Sequence, residues 1–306
     1  MENLTVKDSL LIIEGLNIPS SVPAFVILFF VYVFIMVSHS SLLVLIFRSR
    51  SLHQPMYLLL CNMVFNDAFG ATIIIPQLLR NLLLAPSARY IYYMECAIQA
   101  FFVHLYGSAS HSILMIMAFD RYVAICNPLR YISIMTNMMV VKLSVVAWGS
   151  VFILVLILVG LSVRLSRCRS VVLNPFCDNA SLFKLSCENI LLNNIYGLAY
   201  TVVLLGSSIG SVTLTYMKIA AVCFRGKNKV QNSRALQTCS THLAVYTILL
   251  VSAFIMVILH RFPELSDHRK LAAVMGHVVL PVLNAGVYGL QIKEVRQGFM
   301  TVLNRK

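Results

Sequence analysis

The chain has 306 residues, 59% of them hydrophobic and 11% charged, and its 24 Lys and Arg against 11 Asp and Glu give a formal charge of +13. With a mean hydropathy of +0.84 it has too few charges to cover a water-facing exterior, since soluble domains carry about 25% charged residues. A soluble globular domain is excluded, and so is a nucleic-acid surface, because the basic residues lie scattered between apolar runs with no aromatic-interleaved stripe; anionic lipid headgroups and an inner-face partner are the expected contacts.

A hydrocarbon core about 30 Å thick needs roughly 20 apolar residues of helix, and lipid admits only helices or closed barrels because every backbone polar group must be satisfied internally. The apolar runs here are long and do not alternate. The expected fold is therefore an all-α membrane protein, one seven-transmembrane helix bundle over 1–306. Residues 1–22 read as an outer tail in which Asn3-Leu4-Thr5 is a glycosylation acceptor. That stretch holds Glu2, Asp8 and Glu14 with Lys7 as its only basic residue, unlike a cleavable signal peptide, so the first span is expected to insert itself. Spans fall at about 23–47, 56–80, 96–121, 139–163, 194–224, 237–259 and 271–290. Residues 291–306 read as a cytoplasmic tail with a short amphipathic helix.

Seven spans put the termini on opposite sides. Arg48, Arg50, Arg121, Arg130, Lys142, Lys218, Arg225, Lys227, Lys229, Arg234, Lys293, Arg296, Arg305 and Lys306 gather on the inner side when the N-terminus is extracellular. The connection between spans four and five, about 164–193, is the one long loop. It contains Cys168, Cys177 and Cys187, and Cys96 stands at the outer start of span three. These four can form two disulfides in three pairings. Cys61, Cys126, Cys223 and Cys239 read as small packing residues. Asn179-Ala180-Ser181 is a second glycosylation tripeptide, of a kind that arises often by chance.

Within the spans, Asp67 is the only carboxylate away from a span end, and such a group must face the bundle interior. His104, Gly107, Ser108 and His111 recur at i, i+3, i+4 and i+7, one face of span three. At 1.5 Å per residue His104 lies about 12 Å inward of Cys96, and Arg121 about 26 Å further. A ligand site and an inner switch thus share one rod. Asp120 and Arg121 form an adjacent ionisable pair at the inner boundary, where Arg121 can be held by Asp120 in one state and released in another. A transporter would show more intramembrane charge or duplicated halves. An enzyme would show a nucleophile and base or a metal motif. Neither pattern is present, and no cofactor is expected.

Three blocks carry a family resemblance: LHQPMYLLLCNMVFNDAFG at 52–70, MAFDRYVAICNPLRY at 117–131, and RALQTCSTHL at 234–243 joined by PVLNAGVYGLQIKEVR at 281–296. Together they resemble the odorant receptors of the rhodopsin-like, G-protein-coupled group. The His-Arg-Phe run at 260–262 is similar to their fish-like, class I branch. The resemblance implies a plasma-membrane receptor that binds a small odorant and drives a stimulatory, olfactory-type G protein and cyclic AMP. A receptor of the same fold for another small ligand is the alternative. It also implies disulfides Cys96–Cys177 and Cys168–Cys187, a ligand site of His104, Gly107, Ser108, His111 and Arg261, and a switch of Asp120, Arg121, Tyr122, Tyr216, His242, Asn284 and Tyr288. The carboxylate matching Asp67 faces a polar cluster that often holds sodium, here Asp67, His39 and Asn284.

Three positions depart from the family pattern. His39 stands where the family has Asn, Ala285 follows Asn284 where it has Pro, and Leu250 replaces a common Tyr. With Leu250, the trigger beneath the ligand is expected to be packing rather than a hydroxyl contact.

Overall fold

In the computed structural model the described residues are 10–16, 21–49, 52–225 and 229–291; the side chains of 229–238, 263 and 288–291 are not among them. Asn3, the expected amphipathic helix and the side chain of Tyr288 therefore lie outside the described residues. Seven long apolar helices cross the bundle: α1 (Ser21–Arg48), α2 (Pro55–Leu83), α3 (Tyr93–Cys126), α4 (Asn137–Val163), α5 (Leu191–Arg225), α6 (Lys229–Leu259) and α7 (Ser266–Gln291). Their ends follow local chemistry. Pro55 opens α2, where its missing N–H costs nothing, and the Thr136 hydroxyl caps α4 by accepting from the Met139 amide at 3.2 Å. Pro76 and Pro281 sit inside α2 and α7, tolerated because neighbouring helices shelter the freed carbonyls.

Which face meets lipid follows from what each face carries. Phe29, Phe30, Val145, Val146, Val202 and Val203 project outward from α1, α4 and α5, apolar groups that a bilayer accepts and water would not. α3 is the most enclosed span and α1 the least. The inner half of the core packs Leu59, Met63, Ile113, Leu114, Val245 and Leu249 across α2, α3 and α6. Gly70 lets α2 and α3 close together: a methyl there would overlap the Tyr106 ring.

At the outer end, residues expected as a tail take part in a small sheet. Leu10–Ile13 form β1, antiparallel to β2 (Tyr90–Tyr92) and parallel to β3 (Val171–Val172), in the order β2-β1-β3. Leu11 and Ile13 face inward and are buried while Ile12 faces out. Gly15 then turns the chain at φ +72°, a left-handed conformation that favours glycine, beneath the Arg89 side chain. Lys270 at the start of α7, itself buried, reaches Glu14 at 2.8 Å and ties this strand to the bundle.

Candidate functional site

The long outer loop is fixed at both ends of its sequence. Cys177 is joined to Cys96 at the start of α3, and Cys168 to Cys187 within the loop. Between them, a short helix at Asn179–Phe183 is capped by Asp178, which accepts from the Ser181 amide at 2.7 Å. Asn179 is buried and accepts from the Ser162 hydroxyl at 2.7 Å, so its tripeptide has no room for a glycan. Asp178 stands 3.2 Å from His260 at the outer end of α6. Burial pushes its carboxyl up, but the hydrogen bond and charge of His260 and the hydroxyl and amide of Ser181 overcome that and hold it well below the usual carboxylate range.

Under this loop lies a cavity of about 460 Å³ walled by α3, α5, α6, α7 and the loop itself. His104, Gly107, Ser108, His111 and Arg261 all line it. A Cβ built on Gly107 meets nothing within 4 Å, so that glycine leaves room for a ligand. His104 Nε2 accepts from the Asn179 amide at 3.1 Å. With Nε2 accepting, a neutral His104 ring has only Nδ1 left to donate. Ser108 and Tyr200 share a hydroxyl contact, linking α3 to α5. Arg261 is exposed at the mouth, and neither Glu264 nor Asp267 pairs with it among the described residues.

The cavity also draws in groups the sequence reading did not single out. Arg269 of α7 is buried, with Nε donating to Asn174 at 3.0 Å and an outer nitrogen to the Leu173 carbonyl at 3.3 Å. Lys184 lines the same wall, its pKa lowered by burial and by Arg269 and Arg261, with Asp178 opposing. His277 and Tyr200 add to the polar lining. Only tertiary structure brings these together, because their partners are far away in sequence; a basic pair at the start of a span was the one available signal for Arg269 and Lys270.

At the inner end of α3, Arg121 donates to Asp120 Oδ2 from Nε at 3.0 Å and also from a terminal nitrogen, while the Tyr131 hydroxyl donates to Oδ1 at 2.9 Å. Both carboxylate oxygens are engaged, and burial followed by the Asp120 charge pushes the Tyr131 phenol up, keeping it a donor. Tyr122 lies under Lys218, whose ammonium is 5.6 Å from the ring centre. Tyr216 of α5 meets His242 Nδ1 of α6 at 2.5 Å. Among the described residues, α3 is thus held to the adjoining inner segment and α5 to α6.

Midway, Asn284 donates to Asp67 Oδ2 at 2.8 Å, and His39 Nε2 faces the same oxygen at 3.3 Å. His39 Nδ1 lies 2.8 Å from the Ile35 carbonyl, which can only accept, so Nδ1 carries a hydrogen. The second nitrogen and the carboxylate would then repel unless a proton lies between them. The pair with that proton is neutral as a whole. To the sodium ion that the family's polar cluster often holds, a neutral pair offers little attraction, although Asp67 Oδ1 and Asn284 Oδ1 are buried without a partner among the described residues.

A family model described as olfactory receptor matches residues 28–306. Among curated proteins, the chain is 32% identical to olfactory receptor 5K1 of Homo sapiens over 307 residues, covering 100% of this chain and 99% of the relative. It is 33% identical to olfactory receptor 52B6 of Homo sapiens, covering 94% and 84%, and 33% identical to olfactory receptor 51E2 of Homo sapiens, covering 87% and 83%.

Proposed function

The chain belongs to the olfactory receptor family, and from that premise we propose which ligands it takes and how they act. It is a multi-pass plasma-membrane receptor for small odorants that works through G proteins and performs no catalysis. Within the family it is of the class I type, and its ligand is a small organic acid. The carboxylate sits at the cavity mouth against the planar fork of Arg261, with His104 Nδ1 as a second donor, and the apolar body lies among Gly107, Ser108 and His111.

One observation carries this reading. Lys184, Arg261 and Arg269 line the cavity against the single carboxylate of Asp178, and that carboxylate already holds His260 and Ser181. The excess positive charge needs an anion, and a buried carboxylate needs paired donors to offset its desolvation. A ligand seated across α3, α5, α6 and α7 favours whichever arrangement of those helices it fits better. Release of Arg121 from Asp120 and of Tyr216 from His242 then opens the inner face, with Tyr122, Asn284 and Tyr288 moving in the same rearrangement. The basic residues Arg225, Lys227, Lys229 and Arg234 meet the G protein or anionic lipid, and the G protein is the stimulatory, olfactory type that raises cyclic AMP.

A panel of aliphatic acids, amines and alcohols of matched chain length, read by cyclic AMP in cells, tests the ligand class. Acids should give the strongest responses. A best agonist that is an amine or a plain hydrocarbon would contradict the assignment.

A further inference from the structure

Near its outer end α7 carries two adjacent cations, Arg269 and Lys270, and both are buried. Successive residues of a helix lie about 100° apart around its axis, so the two side chains leave on different faces and meet different surroundings. Lys270 has carboxylates, Glu14 at 2.8 Å and Asp267 at 3.7 Å. Arg269 is 5% exposed, and among the described residues no carboxylate stands within ion-pair distance of it. Its Nε and one terminal nitrogen donate to Asn174 Oδ1 and the Leu173 carbonyl. These neutral acceptors fix the guanidinium plane without cancelling its charge. Its link to a negative charge runs through an amide: Asn174 Nδ2 donates on to Asp178 Oδ2 at 3.1 Å, and Asp178 is already engaged by His260 and Ser181.

The other terminal nitrogen of Arg269 has no protein acceptor among the described residues, and the side chain lines the cavity. It heads a stripe of α7 that continues through Ala273, Gly276 and His277 along the cavity wall. Lys184, at the end of the short loop helix, lines the same cavity, and no carboxylate pairs with it among the described residues. Burial and then the charge of Arg269 lower its pKa, with Asp178 opposing and Arg261 adding less, so the ammonium and the α7 guanidinium share one neighbourhood. A buried cation is costly until a counter-charge meets it. A ligand with one carboxylate, held by Arg261 on α6, leaves the α7 cation unmet.

We propose that Arg269 and Lys184 form a second anion subsite and that the preferred ligands are dicarboxylic acids, with one carboxylate on Arg261 at the mouth, the other on Arg269 and Lys184, and the apolar chain between them. The proposal rests on the reading of Arg261 as the anchor of an acid and names the class of acid.

The test uses the purified receptor and calorimetry, with no G protein present. Straight-chain dicarboxylic acids over a range of lengths are compared with their monomethyl esters, which keep the length and remove one charge. At the best length the diacid should bind about tenfold or more tighter than its ester, the loss expected for one charge-assisted contact. Arg269→Gln retains an amide that can donate to the loop, and it should erase that difference while the ester still binds. Lys184→Gln, at a half-buried loop position where folding is less at stake, should reduce the difference. Diacid and ester binding alike in the native receptor would overturn the proposal. So would an equal loss for both in Arg269→Gln, the pattern of a residue that only braces the loop. Arg261→Ala separates the two readings: if it weakens neither compound while the diacid preference persists and depends on Arg269, the second subsite stands and the Arg261 anchor falls.

Discussion

Asp178 in the outer loop and His260 at the outer end of α6 stand 3.2 Å apart, carboxylate to imidazole, and this contact closes the loop over the ligand cavity. Asp178 also accepts from the amide and hydroxyl of Ser181, so one side chain holds both the short loop helix and the end of α6.

Replacing Asp178 with Asn should therefore loosen the loop at neutral pH. Loss of a charge-assisted contact costs about 1.5–3 kcal/mol, which a lower melting temperature of the purified receptor would report. The sign with pH is fixed by the depressed pKa of Asp178. Its stabilisation is present above the ordinary carboxylate value near 4, and is lost only as pH falls through the lower folded value. From pH 7.5 to 5 the carboxylate should stay ionised in the native receptor, which infrared difference spectra against Asp178→Asn can read; a carboxylic acid band appearing in that interval would refute it.

Gly107 opens onto free space in the cavity wall. Gly107→Leu should fold and reach the surface normally while reducing or abolishing the response to the longest acids first, since its side chain takes up part of the roughly 460 Å³. Equal responses along the whole chain-length series would remove Gly107 from the ligand wall.

Much of the bundle was legible because lipid imposes simple rules. Twenty-residue apolar runs placed all seven spans, and the periodicity of His104, Gly107, Ser108 and His111 placed one cavity wall. The inner ion pair was legible because Asp120 and Arg121 are neighbours in sequence. The rest depends on contacts that no local pattern encodes. Leu10–Ile13 show no alternation in sequence, and become a strand only because Ile91 and Val172 bring partner backbone to them. Arg269 is buried through Asn174, 95 residues away.

His39 makes a prediction of its own, because its imidazole stands 3.3 Å from the Asp67 carboxylate, where a protonated ring would take a cation's place. Thermal stability of the purified receptor should be the same in sodium chloride and choline chloride. His39→Asn, which restores the residue common in the family, should leave Asp67 uncompensated and make stability rise with sodium. A sodium-specific, saturable rise in the native chain would show that the imidazole does not take the cation's place.

Arg121→Ala should reduce maximal G-protein activation by an order of magnitude or more while leaving ligand binding measurable, because the cavity lies about 15–25 Å further out along α3. Binding of a radiolabelled or fluorescent acid, compared with cyclic AMP at equal surface expression, separates the two. Normal signalling by this variant would remove the lock from the account.

The most direct test of the account is the dose response to an activating acid with Arg261 changed. Arg261→Ala should weaken potency by about 10- to 150-fold, the equivalent of one charge-assisted contact of roughly 1.5–3 kcal/mol. Arg261→Lys should recover only part of that, because an ammonium lacks the two-pronged geometry of the guanidinium. Surface expression must be equal across the three receptors, since poor trafficking mimics lost binding. An acid whose potency is unchanged in Arg261→Ala at equal surface expression would contradict the claim that Arg261 holds the ligand.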